Sequence, residues 1–148
     1  FEESFRMPLI IRWPDMIKPG SRPSELVQNI DYAPTFLDIA KLKIPIDVQG
    51  RSLLNLFQNR EKSWRKSLYY SYYELGEHAV PQHFGVRTAH HKLMYFPASK
   101  EWNFFDLQKD PNELKSVHSE PVYAKKLDDL KKEFYRLRTY FDAPDFSE

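Results

Sequence analysis

The clearest pattern in this chain of 148 residues lies in PVYAKKLDDLKKEFYRLRTYF, residues 121–141. Its apolar side chains recur at steps of four and three residues, which places them on one face of an α-helix. They are Tyr123, Leu127, Leu130, Phe134, Leu137 and Phe141. Lysines and aspartates occupy the opposite, water-facing side. The sequence therefore predicts one long amphipathic helix, and such a helix needs an apolar surface to cover.

The segment before this helix is rich in aromatic residues and predicts an antiparallel sheet. Its candidate strands are SLYYSYYE (67–74), FGVRT (84–88), KLMYFP (92–97) and EWNFFDL (101–107). Aromatic residues are enriched in strands, and short polar connections join antiparallel neighbours. We expect the tyrosines of the first candidate strand to fill the core rather than to stack on sugars, because alternating aromatic residues in a strand pack on its neighbours.

The first part of the chain has a different character. PLIIRW (8–13) is a short apolar run that predicts a strand buried on both faces. NIDYAPTFLDIAKL (29–42) predicts a helix, in which Asp31 caps the first turn and Pro34 occupies a position that needs no N–H. RSLLNLFQ (51–58) predicts one or two further helical turns.

Together these patterns predict an α/β protein, and α+β organisation within this chain. Residues 1–60 are expected to form the last strand and helices of a larger core, and residues 61–148 a small antiparallel sheet packed by the C-terminal helix. The strand predicted at residues 8–13 needs partners that this chain hardly offers. Since an unpaired strand edge invites association, we expect the isolated chain to oligomerise or to be poorly soluble.

Composition and charge exclude several classes of function. The chain has 22 lysines and arginines against 21 acidic residues, a net charge of +1, whereas nucleic-acid-binding proteins normally carry a clustered positive excess. It contains no cysteine, which excludes disulfides, a cysteine nucleophile and Cys-x-x-Cys metal sites within it. No run approaches the roughly 20 apolar residues of a membrane-spanning helix. We therefore predict neither a nucleic-acid nor a membrane partner.

Four phrases of the chain carry a family resemblance. They are FEESFRMPLIIRWPDMIKPG (1–20), NIDYAPTFLDIAKL (29–42), QGRSLLNLF (49–57) and FFDLQKDPNELKSV (104–117). In this order and spacing they resemble the C-terminal end of the sulfatase family, whose members have an alkaline-phosphatase-like fold. The stretch EHAVPQHFGVRTAHHKLMYF (77–96) is most similar to the branch that removes the 6-O-sulfate of N-acetylglucosamine.

The resemblance implies a sulfatase whose reactive groups lie outside this chain. Sulfatases attack sulfur with a formylglycine made from the first residue of C/S-x-P-S-R, and they hold calcium through paired aspartates and an Asp-Asn or Asp-His pair. Neither pattern stands in the corresponding context here. We therefore predict no catalytic residue and no metal ligand in this chain. The resemblance implies a sulfated sugar as substrate, the upstream catalytic part of the same protein as partner, and a periplasmic, secreted or lysosomal location.

Candidate substrate-binding residues lie in ELGEHAVPQHFGVRT (74–88). The resemblance implies that His83 faces the sugar pocket, where a neutral imidazole can both donate hydrogen bonds to hydroxyl groups and accept them. His78 and Gln82 are its candidate companions. Arg87 can either clamp an anion or pair with a nearby carboxylate. A metal site at the two histidines is excluded, because no third ligand is near and their spacing does not suit one helix face.

Two other polar groups favour structural roles. The His-His-Lys turn at residues 90–92 is expected to be solvated. Glu2, Glu3 and Arg6 are expected to form an ion pair that holds the entry of the first strand.

Two alternative functions stay open. Aromatic strands and an amphipathic helix can also support a non-catalytic carbohydrate- or protein-binding module, which would bind glycans tightly without any upstream sequence. A related phosphoryl-transfer enzyme of the same superfamily is the other alternative, and the FEESFRMP phrase argues against it.

Overall fold

The computed structural model of the chain describes residues 1–58, 60–61, 63–74 and 79–144. The chain divides into two compact units. One unit is Pro8–Arg65, and the other combines Phe1–Met7 with Lys66–Glu148. The first seven residues therefore pack with the sheet that follows much later in the chain. The predicted division into domains at residue 60 stays a prediction.

Four strands form one antiparallel sheet in chain order. They are β1 (Ser67–Tyr72), β2 (His83–Thr88), β3 (His91–Phe96) and β4 (Glu101–Asp106). Each strand pairs with the next, so that Tyr72 lies opposite His83, and Arg87 lies opposite Lys92. The antiparallel sheet predicted from the aromatic segments is confirmed.

The long C-terminal helix covers one face of this sheet. Helix α4 spans Ala124–Tyr140, after a 3-10 turn at Pro121–Tyr123. Its buried side chains Leu130, Phe134 and Leu137 contact alternate residues of the strands. The strand residues of this core are Tyr69, Phe84, Val86, Leu93 and Phe104. The helix predicted from the apolar repeat, and its packing on the sheet, are confirmed.

A short helix from the start of the chain packs on the opposite face. Helix α1 spans Glu2–Phe5. The ring centroid of Phe5 lies 4.8 Å from that of Tyr70, and the ring of Phe1 lies 6.4 Å from that of Phe105. Because successive strand residues point to opposite faces, Tyr70 and Phe105 belong to the face that α4 does not cover. The sheet therefore has a helix on each side.

The unit Pro8–Arg65 contains two helices. They are α2 (Tyr32–Ile39), which follows a 3-10 turn at Asn29–Asp31, and α3 (Leu54–Phe57). The hydroxyl of Thr35 in α2 accepts the backbone N–H of Leu53 at 2.9 Å, which joins the start of α3 to α2. Both helices confirm the predictions from the sequence.

Asp31 closes a capping box at the 3-10 turn that starts this helical segment, by accepting the backbone N–H of Gln28, but it makes no side-chain cap to α2 itself. Its carboxylate, which is fully buried, makes no hydrogen bond to the first turn of α2. It accepts the backbone N–H groups of Gln28 and Arg51, each at 2.8 Å, and it pairs with both terminal nitrogens of Arg65. The guanidinium comes from 34 residues away, so a local cap rule cannot anticipate it.

Residues 8–13 form no strand, and this prediction was wrong. Ile10 is 91% exposed, Leu9 41% and Ile11 38%. Strand backbone requires partners for its N–H and C=O groups. In the described ranges of the chain, no strand pairs with this segment. An apolar run indicates that its side chains favour burial, but it does not show that a neighbouring strand is available for pairing.

Candidate substrate-binding site

His83 lies at the first position of β2, on the face of the sheet opposite α4. Its imidazole stacks between two aromatic rings, with centroid distances of 5.2 Å to Tyr72 and 5.4 Å to Phe96. Tyr70 approaches it edge-on, with ring centroids 5.8 Å apart and planes at 76°. Three neighbouring strand positions therefore fix the plane of this imidazole.

One hydrogen bond determines which nitrogen of His83 is protonated. Nδ1 lies 2.9 Å from the carbonyl oxygen of Pro81. Since a carbonyl oxygen can only accept, Nδ1 carries the hydrogen, and Nε2 of the neutral ring is an acceptor. Burial lowers the pKa of His83, and the Pro81 carbonyl opposes this shift only in part. At neutral pH the side chain therefore presents an acceptor nitrogen suited to a sugar hydroxyl.

We predict that His83 titrates below pH 6.5, the ordinary value for histidine. Between the folded pKa and 6.5 the unfolded chain binds more protons than the folded chain, so the free energy of unfolding falls as the pH drops through this window. His91, whose pKa burial also lowers, acts in the same direction. An NMR titration of the His83 ring protons tests the shift. A midpoint at or above 6.5 would show that the half-buried imidazole of His83 is not held neutral by its surroundings.

Gln82 precedes His83 in the sequence, and its side chain forms a hydrogen bond with the nearby backbone. Its Nε2 donates to the carbonyl oxygen of Tyr73 at 2.5 Å, which ties the segment before β2 to the end of β1. Its role in substrate binding stays a prediction. His78 lies outside the described residues.

Arg87 lies on the same face as His83, four residues further along β2, which is about 13 Å at the rise of a strand. It donates from Nε and Nη2 to Glu2, at 3.1 and 2.9 Å, and from Nη1 to the carbonyl oxygen of Thr88 at 2.7 Å. The side chain is 12% exposed. These contacts match the ion-pair alternative for Arg87, and its role as an anion clamp stays a prediction.

Lys92 is the residue that sequence reasoning misjudged most. It was expected to be solvated in a turn, but it is 1% exposed and lies within β3. Its ammonium group pairs with Glu2 and with Glu113 of the DPNE turn. Glu2 therefore takes part in a structural ion pair, but its partners are Lys92 and Arg87 of the sheet, and the pair does not hold the entry of a strand at residues 8–13. The alternation of side chains along a strand could have indicated that Lys92 is buried, since Lys92 lies on the same face of β3 as Met94 and Phe96.

The described residues include no group of three His, Asp or Glu side chains arranged to hold a metal ion. This described part of the chain therefore does not fit a calcium site. Among the described helices, none is long and apolar enough to cross a membrane.

A protein-family model described as "N-sulphoglucosamine sulphohydrolase, C-terminal" matches residues 1–140. The chain is 45% identical over 135 residues to N-acetylglucosamine-6-O-sulfatase of Bacteroides thetaiotaomicron, covering 88% of this chain and 24% of that protein. It is 33% identical over 138 residues to an arylsulfatase of Clostridium perfringens, covering 89% and 27%.

A solved structure of a protein in complex with its substrate, D-glucosamine-2-N,6-O-disulfate, superposes with a TM-score of 0.88 and 39% identity. The match covers 92% of this chain and 28% of that one. The chain thus spans about a quarter of the length of the relatives it matches. Family model, relatives and fold agree, and the chain belongs to the sulfatase family, as a C-terminal region similar to that of N-acetylglucosamine-6-O-sulfatase.

Proposed function

We propose that this chain forms one wall of the substrate pocket of a sulfatase that hydrolyses sulfate esters of carbohydrate, with 6-sulfated N-acetylglucosamine as substrate. The observation that carries the proposal is the neutral imidazole of His83, held in one plane by Tyr72 and Phe96 with Nε2 as a hydrogen-bond acceptor. The 45% identity to N-acetylglucosamine-6-O-sulfatase supports the choice of sugar.

The chemical step needs groups that this chain does not bring together. Hydrolysis of a sulfate ester requires a strong nucleophile, cationic stabilisation of the sulfate oxygens and an acid for the leaving alcohol. In the proposed enzyme, residues outside this chain would hold a formylglycine and calcium, which would supply the nucleophile and the positive charge. The role of His83 is to bind and orient a hydroxyl of the sugar, so that the ester lies against those groups.

The exposed apolar residues of the unit Pro8–Arg65 support a larger protein around this chain. In addition to the segment at residues 8–13, large apolar side chains on α2 and after it are exposed to solvent. They are Phe36 at 68% exposure, Leu42 at 60% and Ile46 at 103%. Several large apolar side chains exposed within one unit favour a contact with another protein part. Since the relatives are about four times longer, we propose that their catalytic part has a counterpart that covers these residues.

Replacing His83 by alanine is expected to weaken substrate recognition in an active chimera. In this chimera the chain replaces the matching C-terminal region of the Bacteroides thetaiotaomicron sulfatase. Loss of one hydrogen bond, worth roughly 1 kcal/mol, corresponds to a rise in KM of about fivefold for 6-sulfated N-acetylglucosamine. The value of kcat is expected to change less, because His83 does not touch the reacting sulfur in this account.

The matched control is His90→Ala, at an exposed histidine in the turn between β2 and β3. It is expected to leave KM unchanged. Equal KM values for wild type, His83→Ala and His90→Ala would refute the role of His83. Tight binding of the sulfated sugar by the isolated chain would instead favour the alternative of a stand-alone binding module.

A further inference from the structure

A buried ionic cluster lies on the same sheet face as His83. Nζ of Lys92 lies 2.9 Å from Oε1 of Glu113 and 3.3 Å from Oε1 of Glu2. Arg87, directly opposite Lys92 in the register, binds the same Glu2 through two nitrogens. The Glu113 side chain has no exposed surface, and its backbone adopts φ +54°, a conformation that non-glycine residues seldom take. Lys92 and Arg87 thus face Glu2 and Glu113 in a largely buried space.

Two aromatic rings connect this cluster to His83. Nζ of Lys92 lies 4.8 Å from the ring centroid of Phe5 and 6.0 Å from that of Tyr70. The two rings contact each other, and the edge contact from Tyr70 to His83 completes the connection. The ring of Tyr70 crosses β2 over Gly85, where an added Cβ would lie only 2.6 Å from Cζ of the tyrosine. The glycine leaves the space that this ring occupies.

Stability alone gives little reason for such a cluster. Removing two charges from water costs so much that apolar residues of similar volume often stabilise a protein equally well. A set of directional ionic contacts does, however, fix the positions of the side chains that it holds. Here the cluster holds α1 through Glu2, and its Lys92 ammonium group lies over the ring of Tyr70, which contacts His83.

We propose that Lys92 is a positioning residue for substrate recognition, an inference that rests on the proposed function. Through Glu2 and Glu113 it fixes helix α1 and the ring of Phe5 on the sheet. Phe5 and the ammonium group fix Tyr70, and Tyr70 holds the imidazole of His83 in the plane that presents Nε2 to the sugar. The cluster acts through other side chains and does not touch the substrate.

The first test is NMR on the full 148-residue chain, comparing wild type with Lys92→Met. Methionine fills a similar volume and removes the charge. We expect the ring-proton shifts of His83 to move toward unfolded-chain values, and the tautomer with the hydrogen on Nδ1 to lose its dominance. Lys92→Arg, which keeps the charge, is expected to restore part of both signals.

Two further variants separate positioning from loss of stability. Leu130→Ala opens a cavity on the opposite face of the sheet, where Leu130 is 4% exposed, and is expected to leave the His83 signals unchanged. Phe5→Leu removes the ring between Lys92 and Tyr70 without removing a charge, so it applies even if Lys92→Met does not fold. Unchanged His83 signals in Phe5→Leu, or in a folded Lys92→Met, overturn the proposal.

Kinetics in the chimera distinguishes this proposal from the proposed function. Lys92→Met is expected to raise KM several-fold with a smaller effect on kcat, as His83→Ala does. If the NMR signals move while His83→Ala leaves KM unchanged, the positioning contact stands and the sugar-binding role of His83 fails. If His83→Ala raises KM while the signals of Phe5→Leu stay in place, the function stands and the positioning role fails.

Discussion

Replacing Asp31 by asparagine is expected to lower the free energy of unfolding of the unit Pro8–Arg65 by about 3–5 kcal/mol, the usual cost of breaking a buried ion pair. The side chain of Asp31 has no exposed surface, and that of Arg65 is 13% exposed. The substitution leaves the guanidinium without its counter-charge, and the amide can accept only part of the hydrogen bonds now made to two backbone N–H groups. Because water reaches Arg65 slightly, the loss is expected near the lower end of the range.

Urea denaturation tests this prediction, together with hydrogen exchange of the Arg51 amide, which donates to Asp31. The control is Asp47→Asn, at an exposed position of the same unit. Surface substitutions of this kind usually change stability by no more than about 0.5 kcal/mol. Equal losses in the two variants would contradict the central place of Asp31 in this unit.

Replacing Phe134 by alanine is expected to cost about 3–5 kcal/mol, the range for deleting a fully buried aromatic side chain. Phe134 has no exposed surface, and its ring lies 5.4 Å from that of Tyr69 and 5.2 Å from that of Trp102. Phe134 therefore links α4 to both edge strands of the sheet, to β1 through Tyr69 and to β4 through Trp102. A lower urea midpoint with an unchanged m-value would show lost stability with the same cooperative unfolding.

The adjacent residue on α4 provides the comparison. Tyr135 is 49% exposed and contacts Phe134 and Trp102 edge-on. Its replacement by alanine is expected to cost about 1 kcal/mol, since aromatic pair contacts contribute on that scale. A loss in Tyr135→Ala as large as in Phe134→Ala would mean that the helix does not present this face to the sheet.

The sheet and the long helix could be predicted because their patterns are local and repeat. The steps of four and three residues from Tyr123 to Phe141 identify one helix face, and the aromatic segments with short polar connections identify antiparallel strands. Both patterns are satisfied within the chain, since the helix and the sheet bury each other. The family resemblance added the sulfated-sugar chemistry, which these patterns do not contain.

The remaining features depend on partners that sequence order does not reveal. PLIIRW predicted a buried strand, but periodicity does not supply the neighbouring strands, and the run is exposed in this chain. Lys92 was predicted to be a solvated turn residue. The local sequence does not show its ion-pair partners, since Glu2 and Glu113 lie 90 and 21 residues away. The local sequence indicated the capping role of Asp31, but not its ion pair with Arg65, which lies 34 residues away.

His83 was singled out by resemblance, and its sugar-binding role stays a proposal; the structure shows how its imidazole is held. Tyr72 and Phe96 come from different strands than His83, so only the register brings the three rings together. The Pro81 carbonyl determines the protonated nitrogen. The aromatic alternation of the strands indicated a packed core, but it did not indicate which histidine would be enclosed by rings.

The most direct measurement is the release of inorganic sulfate from 6-sulfated N-acetylglucosamine by the chimera with the Bacteroides thetaiotaomicron enzyme, assayed with calcium beside the isolated chain. We expect the folded chimera to release sulfate, and the isolated chain of 148 residues to release none. A folded, calcium-loaded chimera that releases no sulfate would contradict the claim that this chain completes a sulfatase pocket for that sugar, as would release by the isolated chain.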